Sequence, residues 1–183
     1  MKKTLTSLAL LCALFTASHA RATIITYDLT NVSGSTWVYQ YTISNNNTGG
    51  GPISAFDVVF ASNLFANLEL VSLPYGWIGG TANPEPPPID EDGFLIGWTL
   101  PFLGFGVDLG ETLSGFSVRF DFLGTGIPGA QLFEILNPFS LRVIEIGQTV
   151  QRTAIAEPSV LALLLAALLA ACAVAARRRL RTA

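Results

Sequence analysis

The sequence predicts an all-β protein, a single antiparallel β-sandwich held between two targeting ends. Three observations predict it. Between Thr23 and Thr153, apolar residues recur with period two in short runs rich in Val, Ile, Phe, Tyr and Trp, the pattern of half-buried strands. Gly, Pro, Asn and Asp clusters interrupt these runs about every 10–15 residues, near the spacing of antiparallel sandwiches and barrels. No part of this core carries a helical period. Its length of about 131 residues suits one domain that buries a core without disulfides.

The elements follow in order. Thr23 to Thr30 is a first strand. In Trp37 to Ser44, Trp37, Tyr39, Tyr41 and Ile43 share one face, with Gln40, Thr42 and Ser44 on the other. Asn45 to Pro52 is a loop, because Asn and Gly tolerate positive φ and Pro stops a ladder. Ile53 to Phe60 and Leu68 to Leu73 are the next two strands. Asn83 to Gly93 is the longest break: Pro84-Glu85-Pro86-Pro87-Pro88 favours polyproline II, and Asp90-Glu91-Asp92-Gly93 turns the chain. Phe94, Ile96, Trp98 and Leu100 then form one apolar face. Leu113 to Phe122 is the clearest strand, with Phe116, Val118, Phe120 and Phe122 opposed to Ser117, Arg119 and Asp121. Gln131 to Ile135 and Ser140 to Ile146 bring the total to about eight strands. Gln148 to Ala156 is a linker.

The two ends carry targeting signals. Lys2-Lys3 precedes an apolar stretch, Leu5 to Ala17, and a small-residue cleavage site after Ala20 or Ala22, so residues 1–22 read as a signal peptide. At the other end, residues 159–176 form an apolar run closed by Arg177, Arg178, Arg179 and Arg181. As a helix this run measures roughly 27 Å, against about 30 Å of hydrocarbon. The arginines hold its end in the cytoplasm and place the preceding domain outside.

Charge and residue usage exclude whole function classes. Residues 23–153 contain twelve acids and three basic residues, Arg119, Arg142 and Arg152, for a balance of −9 with no lysine. Such a surface repels phosphate backbones, so nucleic acid is not an expected partner. Cys12, Cys172 and His19 all lie in the targeting ends. The core therefore has no means of building a disulfide, a Cys/His metal site, a Ser-His-Asp triad or a Cys-His nucleophile. No cofactor is expected.

The order of these parts carries a resemblance. Signal peptide, exported domain, Ala156-Glu157-Pro158, apolar run and terminal arginines resemble the PEP-CTERM proteins of Gram-negative bacteria, taken to be exosortase substrates. The family tripeptide is Pro-Glu-Pro, and Ala156 replaces its first proline. The likeness covers residues 154–183. It implies export by the Sec machinery and signal peptidase, then action of an exosortase-like membrane enzyme near Glu157. It also implies attachment to the cell surface or the extracellular polysaccharide matrix. A tail that simply stays in the membrane as an anchor is the alternative. Leu109 to Phe116 and Thr42 to Asn46 resemble elements of secreted Ig-like and carbohydrate-binding-module sandwiches. Tyr39 to Glu134 resembles an ectodomain found on PEP-CTERM proteins, through Gly51-Pro52-Ile53-Ser54, Gly76-Trp77 and Phe116 to Phe120. That likeness implies a fold and a location, and no activity.

Within the core the candidate sites are few. Asp90, Glu91 and Asp92 offer oxygens to calcium without EF-hand spacing, and a solvated turn explains them as well. Tyr75 and Trp77, in a loop, are the expected exposed aromatics for a sugar, while Trp98 is expected in the core. Asp108 and Glu111 lie in one turn, not across a cleft. The sequence thus reads as a non-enzymatic exported protein with a structural or adhesive role in the exopolysaccharide or biofilm matrix. A carbohydrate-binding module is the first alternative, and a carboxylate-based glycoside-acting enzyme the second.

Overall fold

A computed structural model describes residues 22–47 and 50–152. The proposed transmembrane run 159–176, the tripeptide Ala156, Glu157 and Pro158, the arginines 177–181 and most of the signal peptide lie outside the described residues. Among the described residues, no helix is long and apolar enough to cross a membrane.

The described chain is all-β. Its strands are β1 Ile24–Ser33, β2 Thr36–Ser44, β3 Ala55–Phe60, β4 Phe65–Ser72, β5 Ile78–Ala82, β6 Gly93–Trp98, β7 Thr112–Phe122, β8 Leu132–Leu136, β9 Val143–Gln148 and β10 Val150–Gln151. One 3₁₀ turn, Pro101–Leu103, follows β6. Two five-stranded sheets result, with orders β10-β1-β2-β7-β4 and β5-β6-β3-β8-β9.

Aromatic residues fill the space between the sheets. Tyr39, Tyr41 and Ile43 of β2 face Phe116, Val118 and Phe120 of β7 within the first sheet's inner surface, and all six are fully buried. From the second sheet, Phe56, Val58 and Phe60 of β3, Leu95 of β6 and Phe133 of β8 meet them. The ring of Tyr39 stacks on Phe120 at 4.7 Å, and Phe56 meets Phe116 edge-on at 4.9 Å, geometries favoured by the ring quadrupole. The buried tyrosines need partners for their hydroxyls. Tyr39 donates to the carbonyl of Gly129 at 2.7 Å, and Tyr41 donates to Oε1 of Gln131 at 3.1 Å. Burial raises both phenols above their ordinary range.

Three sequence expectations need correction. β10 pairs with β1 in parallel, Thr26 beside Val150, so the sandwich is not wholly antiparallel. β5 and β10 were not expected as strands: Ile78-Gly79-Gly80-Thr81-Ala82 lacks an apolar alternation, and β10 is two residues long. The third concerns β6. Its inward residues are Gly93, Leu95 and Gly97, and the apolar set Phe94, Ile96 and Trp98 points outward. Size explains the inversion: a Cβ on Gly97 would lie 2.6 Å from Cε1 of Phe56. Glycine leaves that volume to the ring of Phe56, which packs on Trp77 and Phe116.

Candidate functional site

The corrected orientation of β6 creates the most distinctive surface of the domain. Residues directly opposite each other on neighbouring strands share a face. The outward row through the second sheet is Gly80 on β5, Ile96 on β6, Asp57 on β3, Glu134 on β8 and Ile146 on β9. The next row holds Ile78, Trp98 and Ala55, and the row on the other side holds Ala82, Phe94 and Val59. This outer face is largely apolar. Trp98 is 38% exposed, Ile96 41%, Ile78 51% and Ile146 61%.

The turn between β8 and β9 extends the face. Asn137 holds it by accepting, through Oδ1, from the backbone N–H groups of Phe139 and Ser140 at 3.0 Å each. Phe139 and Leu141 consequently stand in the open and wall a groove of about 420 Å³ with Ala55, Ile96, Trp98, Leu136 and Pro138. A second groove of about 430 Å³ runs over Ile78 to Ala82 on the other side of Ile96 and Trp98. Contiguous apolar surface of this kind marks interaction sites on soluble domains.

Two carboxylates sit within it. Asp57 and Glu134 are direct cross-strand partners, which places their Cβ atoms about 4.5–5.5 Å apart. Asp57 is 9% exposed, and its Oδ1 is buried without a hydrogen-bond partner among the described residues. Burial, and then the charge of Glu134, push the Asp57 carboxyl up to about 6 from its ordinary 3.8. The five strands of this sheet contain no Lys, Arg or His to offset the pair.

The sequence-predicted residues lie elsewhere. Trp77 is not an exposed platform: it is 6% exposed, and its Nε1–H donates to the carbonyl of Phe105 at 2.8 Å. Its ring meets Phe116 edge-on at 5.0 Å. Gly76, at φ 80°, turns the chain inward, and a Cβ there would overlap the ring of Phe105. Tyr75 stays 90% exposed and leans edge-on against Phe105, so the expected pair is split between solvent and core. Trp98, expected inside, is on the outer face. Asp90 and Asp92 are engaged in a turn contact, where Oδ1 of Asp90 accepts from the Ser62 hydroxyl at 2.5 Å and Oδ1 of Asp92 from the Ser62 N–H at 2.9 Å. Among the described residues no group of three or more acidic, His or Cys side chains is placed to hold a metal ion. Ala22, a candidate cleavage residue, is exposed ahead of β1.

A polar pocket of about 210 Å³ lies at one end of the sandwich. There Glu145 accepts from the N–H and hydroxyl of Thr23, each at 2.8 Å, and from Asn47 at 3.3 Å. Those bonds leave it a structural bridge between β9 and the start of β1.

Sequence reasoning missed Asp57 and Glu134. The available signal was a single acid inside each of two apolar runs, Ala55 to Phe60 and Leu132 to Leu136. Their adjacency depends on β3 pairing with β8, a contact between strands far apart in sequence.

No protein-family profile matches the chain, and no curated protein matches it. Among solved structures, the cohesin module of a family 33 glycoside hydrolase from Clostridium perfringens ATCC13124 is similar at 12% identity and TM-score 0.41, over 72% of this chain and 97% of that one. The GH20 exo-β-N-acetylglucosaminidase of Vibrio harveyi, in complex with N-acetylglucosamine, is similar at 9% identity and TM-score 0.35, over 70% of this chain and 18% of that one. At these TM-scores no site residue is carried over from either.

Proposed function

We propose that this chain is an exported protein with a structural or adhesive role at the cell surface or in the exopolysaccharide matrix. In this reading a signal peptide delivers it, the 154–183 tail sorts it, and the outward face of the second sheet makes its contacts. The observation that carries the adhesive part is that face, where Trp98, Ile96, Ile146 and Phe139 stand exposed on one side of the sandwich. The sorting part rests on Glu157-Pro158 set before the apolar run and its arginines.

A carbohydrate-binding role is the second reading. It is favoured by Trp98, an exposed ring one row from the carboxylates of Asp57 and Glu134. An enzymatic role has less support. The two carboxylates project side by side from adjacent strands of one sheet, whereas glycoside hydrolysis needs a pair flanking the scissile bond.

The test is retention in the extracellular matrix of the producing cells. The double variant Trp98→Ser, Ile146→Ser should be secreted and folded, yet appear in the medium instead of the matrix fraction. Unchanged retention would remove the adhesive reading of this face. Intact mass of the matrix-bound protein tests the sorting part: a mass retaining Arg177 to Arg181 contradicts tail removal and leaves a plain anchor.

A further inference from the structure

We infer that the outward face of the second sheet is a docking site for a polypeptide segment that places a Lys or Arg side chain against Asp57 and Glu134. The inference rests on the adhesive reading above and names the chemistry of the partner.

Three observations carry it. Asp57 is more than nine-tenths buried, and its Oδ1 has no partner among the described residues. Such an atom gives up hydration without a compensating bond. Secondly, Glu134 faces Asp57 directly across the strand pair, and like charges so placed are destabilising. A cation at the surface beside the pair offsets the paired charge and donates to the carboxylate oxygens that the face leaves accessible, which stabilises the buried Asp57 carboxylate. A sugar hydroxyl would donate there too and leave the repulsion. Thirdly, the carboxylates' immediate neighbours are largely aliphatic, Val59, Ile96, Leu132 and Ile146, with the rings of Phe94 and Trp98 in the flanking rows. These match the stem of a long basic side chain and its apolar neighbours, whereas sugar recognition relies on flat aromatic platforms.

Size favours a segment over a single amine. Grooves of about 430 and 420 Å³ lie on either side of Ile96 and Trp98, room for several apolar side chains flanking one cation. A second copy of this chain does not fit. Its core carries twelve acids against three basic residues, and the same face would set carboxylate pair against carboxylate pair.

The test is calorimetric titration of the full chain at about pH 7.5 with a short peptide alternating leucine and lysine, beside its leucine–serine counterpart. Loss of one charge-assisted hydrogen bond lowers affinity by about tenfold or more. The leucine–lysine peptide should therefore bind at least about tenfold more tightly than the leucine–serine peptide. Asp57→Asn should lose that difference, and Glu134→Gln serves where Asp57→Asn misfolds. Glu69→Gln, on the other sheet, should keep it. At about pH 5 the preference should shrink as Asp57 takes up a proton; of the two strands beside it, β8 places Glu134 opposite and β6 places the uncharged Ile96. Equal binding of both peptides, or an unchanged preference in both carboxylate variants, overturns the inference. So does binding of soluble exopolysaccharide fragments at Trp98 without binding of the lysine peptide, which would give the face to a glycan. If neither peptide binds while Trp98→Ser, Ile146→Ser still releases the protein from the matrix, the cationic partner is wrong and the adhesive face stands.

Discussion

The two sheets differ most on the sides turned away from each other. The first sheet, β10-β1-β2-β7-β4, sets Val150, Thr26 and Thr42 in one outward row and Asp28, Gln40 and Ser117 in the next. Arg119 pairs there with Glu69 at 2.9 Å. Asp121 accepts from the Thr36 hydroxyl at 2.7 Å and from Asn67 at 2.8 Å, and those bonds lower its pKa. The second sheet sets Asp57 in an equivalent outward position and gives it Glu134 and Ile96 as neighbours. Two aspartates in similar strand patterns are thus driven in opposite directions by what adjoining strands place beside them. The first sheet pairs or hydrogen-bonds its charged groups Arg119, Glu69 and Asp121 within its own surface. The second leaves apolar area and a carboxylate pair without a cation among its strands, the observations on which the proposed docking role rests.

The comparison can be broken by substitution, beginning with the inside against the outside. Trp77→Ala removes a buried ring from the Phe56–Phe116 cluster and should cost about 3–5 kcal/mol in denaturant unfolding. Trp98→Ala, on the open face, should cost about 1 kcal/mol or less. A larger loss in Trp98→Ala would mean that the two tryptophans are assigned to the wrong sides.

The paired aspartates sharpen the contrast. Thr36→Val should destabilise by about 1 kcal/mol at neutral pH, through loss of one bond to Asp121. Asp57→Asn should do the reverse. The folded-state pKa of Asp57 lies above its ordinary value, so its contribution is favourable at low pH and is lost as pH rises from about 4 through about 6. At pH near 7.5 the substitution should stabilise by on the order of 1 kcal/mol, reduced by solvent screening at the open face. Thermal melts should show a gain of about 3 °C near pH 7.5 that disappears near pH 4. The lowered pKa of Asp121 acts oppositely, contributing stability above its ordinary value that is lost on acidification. The smallest effect belongs to the exposed ion pair: Arg119→Ala should change stability by about 0.5 kcal/mol or less.

Much of the sandwich was legible in the residues. β2 and β7 alternate cleanly because each has one face in the core and one in water, and their inward residues Tyr39, Tyr41, Phe116 and Phe120 were readable from period two alone. The same logic fails at β6, because alternation tells two faces apart without saying which one is inner, and size alone favours Phe94, Ile96 and Trp98. There the inner set contains two glycines, with volume supplied by Phe56 at Gly97 and by Leu68 and Pro84 at Gly93. Loop position likewise misplaced Trp77, whose entry into the core depends on the backbone turn at Gly76. The carboxylate pair was illegible for a different reason. Register between β3 and β8 is a property of the folded sheet, and neither strand alone reveals its neighbour.

The proposed function requires the outward face of the second sheet to be covered in the working protein. Hydroxyl-radical footprinting read by mass spectrometry tests it most directly, comparing protein within its native matrix with the same protein released from it. Trp98, Phe139 and Ile146 should be protected in the matrix, while Val32 and Val71, exposed on the first-sheet side of the molecule, should label equally in both states. Protection of Val32 and Val71 with full labelling of Trp98 and Ile146 would contradict the account.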